Sequence, residues 1–239
     1  MSHVRSDTRK QDAFSSFAVH EGSTLIAIVS DGAGSSTHGG EGASLICRTL
    51  ATSLRGHFAS AEAFPSDDDL WHWLDAARDR IGVAAERRGL AMRDFAATVV
   101  VTITDGSQTL VAHVGDGCSV ARERESGYWR SLSWPAQGQY ASTTFFVTDE
   151  PEVQLRIGRC DVAIDAVASF TDGIERLALD FGAERPHQPF FRGIIKPLEE
   201  RSETGTDRAL SPKLAAYLDS AVINERTDDD KTLVLAVLR

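Results

Sequence analysis

The chain has 239 residues, of which 42% are hydrophobic and 25% are charged, and its formal net charge is −10. This length is compatible with either one α/β domain or two, and it is enough to bury a full hydrophobic core. The negative charge argues against binding to nucleic acid or to an anionic membrane, because both need a basic surface. No apolar run approaches the ~20 residues that cross a bilayer, so we expect a cytoplasmic protein.

The first third of the chain predicts a hairpin followed by two helices. The β-like runs 14–19 and 24–30 are separated by a polar segment with a glycine, which favours a hairpin. Apolar residues recur at helical spacing over 42–58, which predicts an amphipathic helix packed on a sheet. Ser66 precedes three aspartates, and a serine cap with an acidic first turn predicts a second helix that ends near residue 88.

The rest of the chain is dominated by short strand-like runs. They lie at 97–104, 109–114, 118–122, 144–148, 153–157, 162–171 and 231–238. Glycine-containing turns separate the first three runs, which predicts an antiparallel meander. A helix is predicted after Gly173, and Ser211-Pro212 is typical of the start of another that ends near residue 223. Hairpins together with helix pairs favour an α+β fold of two antiparallel sheets covered by helices.

No linker rich in proline, glycine or serine divides the chain, which predicts a single domain over residues 1–239. Residues 183–210 hold three prolines and show little periodicity, which indicates a variable surface insertion. Within it, Phe190-Phe191 is either a docking anchor or a tether that holds the segment to the body, and the tether is favoured. The three cysteines are far apart, so neither a zinc site nor a disulfide framework is indicated.

Aspartates followed by glycine stand at the ends of three predicted strands, at Asp31, Asp116 and Asp172. One Asp-Gly pair is a common turn, but three after core-like strands weaken that explanation. Asp12 stands before the first strand, and aspartates 228–230 stand before the last. Carboxylates that converge repel one another unless a cation lies between them, and oxygen ligands select Mg²⁺ or Mn²⁺ over zinc. Two such ions, roughly 3.5–4 Å apart, can activate a shared water against phosphorus.

Seven short motifs occur in the order found in metal-dependent protein phosphatases of type 2C, and they span nearly the whole chain. They are SHVR at 2–5, QDAF at 11–14, SDGAGS at 30–35, GEGA at 40–43, HVGDG at 113–117, FTDG at 170–173 and DDKT at 229–232. The chain resembles the bacterial branch of this family, which carries Asp-Gly-Ala-Gly-Ser. The resemblance implies a four-layer α/β/β/α sandwich, two antiparallel sheets flanked by helices, with a binuclear Mn²⁺ or Mg²⁺ centre at one edge.

By the same resemblance, a metal-bridging water would hydrolyse phosphoserine or phosphothreonine. Asp31 is similar to the carboxylate that bridges both metals, and Gly32 to the residue whose carbonyl is a ligand. Asp172 and Asp229 match the remaining direct ligands. Asp12 matches the residue that orders metal-bound water, and Asp116 is similar to the aspartate that, with the residue matching Asp172, can hold a weaker third metal.

The chain departs from the family pattern at two places. In many relatives an arginine five residues before the aspartate matching Asp12 binds the substrate phosphate, but Asp7 stands there. His3 and Arg5 are the nearby candidates for that contact. Eukaryotic relatives carry a histidine at the position of Ala33, and that histidine is the proposed general acid. In this chain the proton would therefore come from water or from another group such as His38. His38 is otherwise a polar residue of a glycine-rich loop.

Other functions are less well supported. The glycines after Asp31 match neither dinucleotide-binding nor Walker A spacing. The missing arginine keeps open a catalytically weak fold member that binds phosphoproteins or regulates a partner, and a third hypothesis is a phosphatase of small phosphoesters. Retention of Asp31, Asp172 and Asp229 favours the enzyme. The resemblance implies a phosphorylated protein substrate, with a serine/threonine kinase or its target as partner, and we expect a monomer.

Overall fold

The computed structural model describes residues 10–136 and 144–239, which form two antiparallel sheets with helices packed on them. His3 and Arg5 lie outside the described residues. The predicted α+β sandwich is confirmed. No helix in the described part of the chain is both long and apolar enough to cross a membrane.

The first sheet has five strands in the order β1-β2-β3-β4-β7. Its strands are β1 Ala13–Val19, β2 Thr24–Ser30, β3 Val99–Thr104, β4 Thr109–Val114 and β7 Arg156–Cys160. Two long helices, α1 Gly39–Phe58 and α2 Asp67–Glu86, cover one face of this sheet. Their apolar faces bury Ile46, Leu54 and Ile81 against the sheet, and burial of such side chains contributes about 1.5–3 kcal/mol each.

The second sheet has four strands in the order β11-β8-β5-β6. They are β5 Cys118–Glu123, β6 Trp129–Ser133, β8 Ile164–Phe170 and β11 Leu233–Val237. The helices on this side are α3 Glu175–Ala178, α4 Gln188–Glu199, α5 Leu210–Leu218 and α6 Ala221–Asn224. Between α3 and α4, strands β9 Leu179–Asp180 and β10 Arg185–Pro186 form a small two-stranded sheet. A second core lies beneath them around Trp129, Phe170 and Phe191.

The facing sides of the two sheets carry small apolar residues and one polar cluster. Val29, Val100 and Val234 are buried there. The hydroxyl groups of Thr102, Ser119 and Ser169 lie 2.8, 2.9 and 3.2 Å from one another, so each has hydrogen-bond partners within the cluster. Small and hydroxyl side chains let the sheets approach closely, and this brings their ends together at one edge.

Several predictions of elements were wrong. Strand β5 does not continue a meander with β4, because it pairs with β6 and β8 in the second sheet. Residues 144–148 form no strand, β7 begins three residues later than the run predicted at 153–157, and β6 was not predicted. Residues 115–117 therefore form a crossing between the sheets rather than a hairpin turn.

The segment 183–210 is more ordered than its proline content indicates. All of α4 lies within this segment. The helix begins next to Pro189 and buries Phe191 and Ile195 completely. Phe191 stacks on Trp129 with ring centroids 4.7 Å apart. Phe190 and Phe191 pack in the second core, which agrees with the tether interpretation of this pair and holds α4 to the body of the fold.

Candidate active site

The register of the first sheet brings the first two acidic motifs together. Ala13 of β1 pairs with Ser30 of β2, so Asp12 and Asp31 follow the same rung at one end of the sheet. The N–H of Gly32 donates to the carbonyl of Gln11 at 3.2 Å and continues the ladder past Asp31. Thr98 Oγ1 accepts the N–H of Asp31 at 3.1 Å, which holds the end of β2 against the chain leading into β3.

The register of the second sheet does the same for the other three motifs. Phe170 of β8 pairs with Leu233 of β11 on one side and with Cys118 of β5 on the other. Asp172 therefore lies between the end of the 229–232 segment and Asp116. The strands are antiparallel neighbours, so residues distant in sequence share one sheet end.

Two hydrogen bonds join the ends of the two sheets. Thr171 Oγ1 donates to Asp12 Oδ2 at 2.8 Å. The backbone N–H of Gln11 donates to Asp230 Oδ2 at 2.5 Å. The segment before β1 is thereby attached to both the β8 end and the segment before β11, which brings Asp12, Asp172 and Asp230 to one junction.

Close packing, not turn geometry, accounts for two of the three Asp-Gly pairs. A Cβ at Gly32 would lie 2.2 Å from the carbonyl carbon of Gly39, and a Cβ at Gly173 would lie 1.7 Å from the carbonyl oxygen of Asp230. Neither glycine has a positive φ, whereas Gly106 of the Asp105-Gly106 turn has φ 86°. The glycines after Asp31 and Asp172 are therefore required because neighbouring backbone approaches the site.

The carboxylates of the junction raise one another's pKa. Burial is the main cause for Asp31, and the charges of Asp12 and Asp172 raise its pKa further. Burial, with the charges of Asp116 and Asp229, raises the pKa of Asp172 to about 8. Burial also raises the pKa values of Asp12 and Asp116. Each of these groups resists ionisation in the absence of a nearby positive charge.

The sequence analysis did not single out Glu175, which belongs to the same electrostatic cluster. Burial and the charge of Asp116 raise its pKa to about 7, and its own charge contributes to the raised pKa of Asp172. Its position three residues after Asp172, in the first turn of α3, was visible in the sequence. Nothing in the sequence showed that this turn faces Asp116.

Several oxygen atoms at the junction are buried without a hydrogen-bond partner. They are Oδ1 of Asp12, Oδ1 of Asp116, Oδ1 of Asp172 and Oε1 of Gln11. A buried acceptor without a partner costs about 1–3 kcal/mol, so four at one place indicate a missing positive group. Hard cations bind such oxygens, and the chemistry of the donors therefore fits Mg²⁺ or Mn²⁺.

The site does not present a complete cage. Among residues 10–136 and 144–239, no three side chains of His, Cys, Asp and Glu are already placed to hold one ion. This arrangement still fits Mg²⁺, because that ion keeps several waters and usually takes one or two carboxylates.

The remaining predicted residues lie at the edge of the junction or outside it. Asp229 is exposed, and Lys231 Nζ donates to its carbonyl at 3.0 Å. Asp116 Oδ2 accepts a hydrogen bond of 2.5 Å from Thr144 Oγ1, which leaves Oδ1 towards the cluster. His38 Nδ1 contacts Thr37 Oγ1 at 3.0 Å and its ring packs near Phe95, so its described contacts are those of a loop residue.

Comparisons with known proteins agree with this geometry. The family model "Protein phosphatase 2C" matches residues 1–219. The chain is 36% identical over 240 residues to serine/threonine-protein phosphatase 3 of Escherichia coli K12, covering 99% of this chain and 94% of that protein. The solved serine/threonine phosphatase of Staphylococcus aureus has the same fold, with a TM-score of 0.64 at 14% identity over 97% of this chain and 90% of that one. A bacterial serine phosphatase superposes with a TM-score of 0.65 at 13% identity over 97% and 92%.

The family match and the 36% identical relative define a serine/threonine protein phosphatase of a metal-dependent class. The chain belongs to the protein phosphatase 2C family.

Proposed function

We propose that the chain hydrolyses phosphoserine and phosphothreonine on cytoplasmic signalling proteins, using two Mn²⁺ or Mg²⁺ ions held at the carboxylate junction. Family membership and the 36% identical relative make it a serine/threonine protein phosphatase. The observation that carries the metal site is the set of buried, unpartnered oxygens on Asp12, Asp116 and Asp172.

The proposed ligand set is the one that the resemblance to the family implies. Asp31 would contact both ions, the Gly32 carbonyl and Asp172 and Asp229 would complete the direct contacts, and Asp116 with Asp172 would hold a weaker third ion. When bound, the cations would lower the pKa of a water and offset the charge of the phosphate. Binding would also allow the carboxylates to ionise together, since each then has a positive neighbour.

The chain's own groups orient the reactants around that centre. Asp12 is fixed by Thr171, and one of its oxygens remains free to accept a hydrogen bond from a water. Gly32 and Gly173 bring backbone close to the site without filling it. His3 and Arg5, outside the described residues, are the proposed contacts of the substrate phosphate. Bidentate contact from an arginine suits a phosphate, because its N–H groups match two oxygens.

A covalent thiol mechanism is poorly supported. Burial, and then the charge of Asp12, raises the pKa of Cys47 to about 12. Burial also raises the pKa of Cys118. Buried thiols that stay protonated are weak nucleophiles. Direct attack by water is therefore the reaction that this site favours.

The test is hydrolysis of p-nitrophenyl phosphate and of a phosphothreonine peptide with Mn²⁺ or with chelator. Asp31→Ala and Asp172→Ala should each lower turnover by about 100-fold or more, as removal of a ligand does. Asp105→Ala is the matched control, because Asp105 also precedes a glycine but lies exposed in a turn. It should retain activity.

A second measurement separates the enzyme from a catalytically weak phosphoprotein-binding protein, which the Asp7 departure keeps as the alternative. Mn²⁺ should raise the melting temperature of the wild type and raise it less in Asp31→Ala. A metal-stabilised wild type that hydrolyses neither substrate, yet binds the phosphopeptide, would support the binding protein. Hydrolysis of p-nitrophenyl phosphate with no activity on phosphopeptides would support a phosphatase of small phosphoesters.

A further inference from the structure

A groove between α1 and α2 opens beside the acidic junction. It has a volume of about 460 Å³, and its floor is made by Leu45, Val83 and Ala84. Val83 is 47% exposed, whereas the other apolar residues of α2 at this end turn towards the core. An exposed apolar residue on the floor of a groove with a charged rim is typical of a binding surface.

The rim of the groove has a charge opposite to that of the protein. Arg80, Arg87 and Arg88 line it together with Glu41 and Asp79. Arg88 is neutralised by Glu41, through two hydrogen bonds of 2.6 and 2.8 Å. The side chains of Arg80 and Arg87 form neither an ion pair nor a hydrogen bond with any described residue, and both are exposed. Two available guanidinium groups thus flank an apolar floor on a chain of net charge −10.

The groove is connected to the junction through the start of α1. Glu41, the residue of α1 that pairs with Arg88 on the groove rim, follows Gly39 and Gly40 directly in the chain. The backbone of these two glycines is the part of α1 against which Gly32 packs. A peptide with its phosphate at the carboxylate junction therefore has this groove within reach of its flanking residues.

We propose that the α1–α2 groove binds an acidic segment of the phosphoprotein substrate, with Arg80 and Arg87 contacting carboxylates and Val83 an apolar side chain. The inference rests on the proposed function and adds a substrate class to it. Charge complementarity selects the occupant. Besides the paired Arg88 and Glu41, the charged residues on the rim are Arg80, Arg87 and Asp79, which leaves one net positive charge at the groove, whereas the strongly acidic chain repels acidic partners elsewhere on its surface.

The experiment compares two phosphothreonine peptides that differ only in flanking residues, one with glutamates and one with glutamines. Arg80→Glu/Arg87→Glu should raise KM for the acidic peptide about tenfold with kcat unchanged, and should leave the glutamine peptide and p-nitrophenyl phosphate within about twofold. Val83→Ser should weaken both peptides equally. Arg192→Glu/Arg208→Glu is the matched control, because both arginines are exposed, form no described side-chain contact and lie on the other side of the fold.

Binding is measured separately from turnover, by fluorescence anisotropy of the unphosphorylated acidic peptide. The proposal is supported if Arg80→Glu/Arg87→Glu loses binding and the control double variant does not. This holds even if the wild type hydrolyses nothing, because absence of hydrolysis would overturn only the proposed function. Equal effects of the two double variants would show a general charge effect and overturn the groove. Equal losses for both peptides in Arg80→Glu/Arg87→Glu would also overturn it. Self-association that this double variant abolishes would overturn it as well, because the groove would then bind a second copy.

Discussion

Thr171 connects three of the acidic motifs through a single hydroxyl group. It donates to Asp12 Oδ2 at 2.8 Å and accepts the backbone N–H of Thr232 at 3.1 Å, while Asp172 follows it directly in the chain. Thr171 is 1% exposed, so no water replaces these contacts. Its position makes it a positioning residue for Asp12, beyond the aspartates that the motifs indicate.

Replacement of Thr171 by valine should lower kcat/KM with Mn²⁺ by about 10- to 100-fold, because loss of a hydrogen-bond partner behind a site residue disorients it. The fold should lose about 1–3 kcal/mol, since Asp12 loses one hydrogen-bond donor and the N–H of Thr232 loses its acceptor. Thr171→Ser keeps the hydroxyl and should retain activity. If valine and serine variants have equal activity at equal stability, the hydrogen bond to Asp12 has no part in positioning.

Gly173 provides a second prediction, which concerns backbone packing. Gly173→Ala places a methyl group against the Asp230 carbonyl, so the 229–232 segment must move, with a cost of about 1–3 kcal/mol and a loss of activity. Gly193→Ala is the control, because nothing lies within 4 Å of its Cβ position in α4. That substitution should stabilise the protein by about 0.5–1 kcal/mol, as alanine does in a helix.

These two variants are compared by denaturant unfolding and by Mn²⁺-dependent hydrolysis. A Gly173→Ala protein with wild-type stability and activity would show that the contact with Asp230 is easily relaxed. In that case the glycine would have to be explained by turn formation, as in Asp105-Gly106.

The raised pKa of Asp172 predicts how the metal-free protein responds to pH. Its folded-state pKa of about 8 lies above the ordinary 3.8, so the folded protein binds this proton more tightly than the unfolded chain does. The contribution of protonated Asp172 to the free energy of unfolding is therefore fully present below pH 4 and is lost as pH rises through about 8. The free energy of unfolding of metal-free protein should fall over this window, and Asp12 and Asp31 act in the same direction.

Asp172→Asn removes this ionisation. With chelator present, the wild type should lose about 1–3 kcal/mol more unfolding free energy than the variant between pH 5 and pH 8. With saturating Mn²⁺ the order should reverse, because the wild type alone binds the ions fully. A difference that is independent of pH would show that Asp172 is already ionised in the metal-free protein.

The sequence predicted the ends of the strands better than it predicted which strands pair. Asp12, Asp31, Asp116 and Asp172 each follow or precede an apolar strand, and a strand end is a local feature that periodicity reveals. Which strands pair is a property of the whole fold. The run 118–122 looks like the third strand of a meander, yet it crosses to the second sheet, and no local pattern distinguishes the two connections.

Contacts across long sequence separations were also beyond the sequence. The 2.8 Å bond between Thr171 and Asp12 joins residues 159 positions apart. The electrostatic contact between Glu175 and Asp116 requires knowing that α3 faces the crossing between the sheets. The helix α4 was not predicted because residues 183–210 hold three prolines and show little periodicity, although Pro189 stands in the first turn of the helix, where proline is tolerated.

Phe191 tests whether α4 belongs to the core. It is fully buried and stacks on Trp129, and the centroid of its ring lies 6.1 Å from the ring centroid of Phe170. Phe170 stands two residues before Asp172 in the chain. Phe191→Ala should destabilise the protein by about 3–5 kcal/mol, as removal of a buried aromatic ring does. Phe190→Ala is the matched control and should cost clearly less, because Phe190 is only partly buried at the edge of the same core.

Chemical unfolding measures both variants, and hydrolysis with Mn²⁺ at a temperature where both are folded measures the effect on the site. We expect Phe191→Ala alone to lower activity, because Phe170 loses the ring that supports it at the end of β8. If the two variants have equal stability, α4 contributes little to the core, and residues 183–210 would then behave as the surface insertion that their composition suggests.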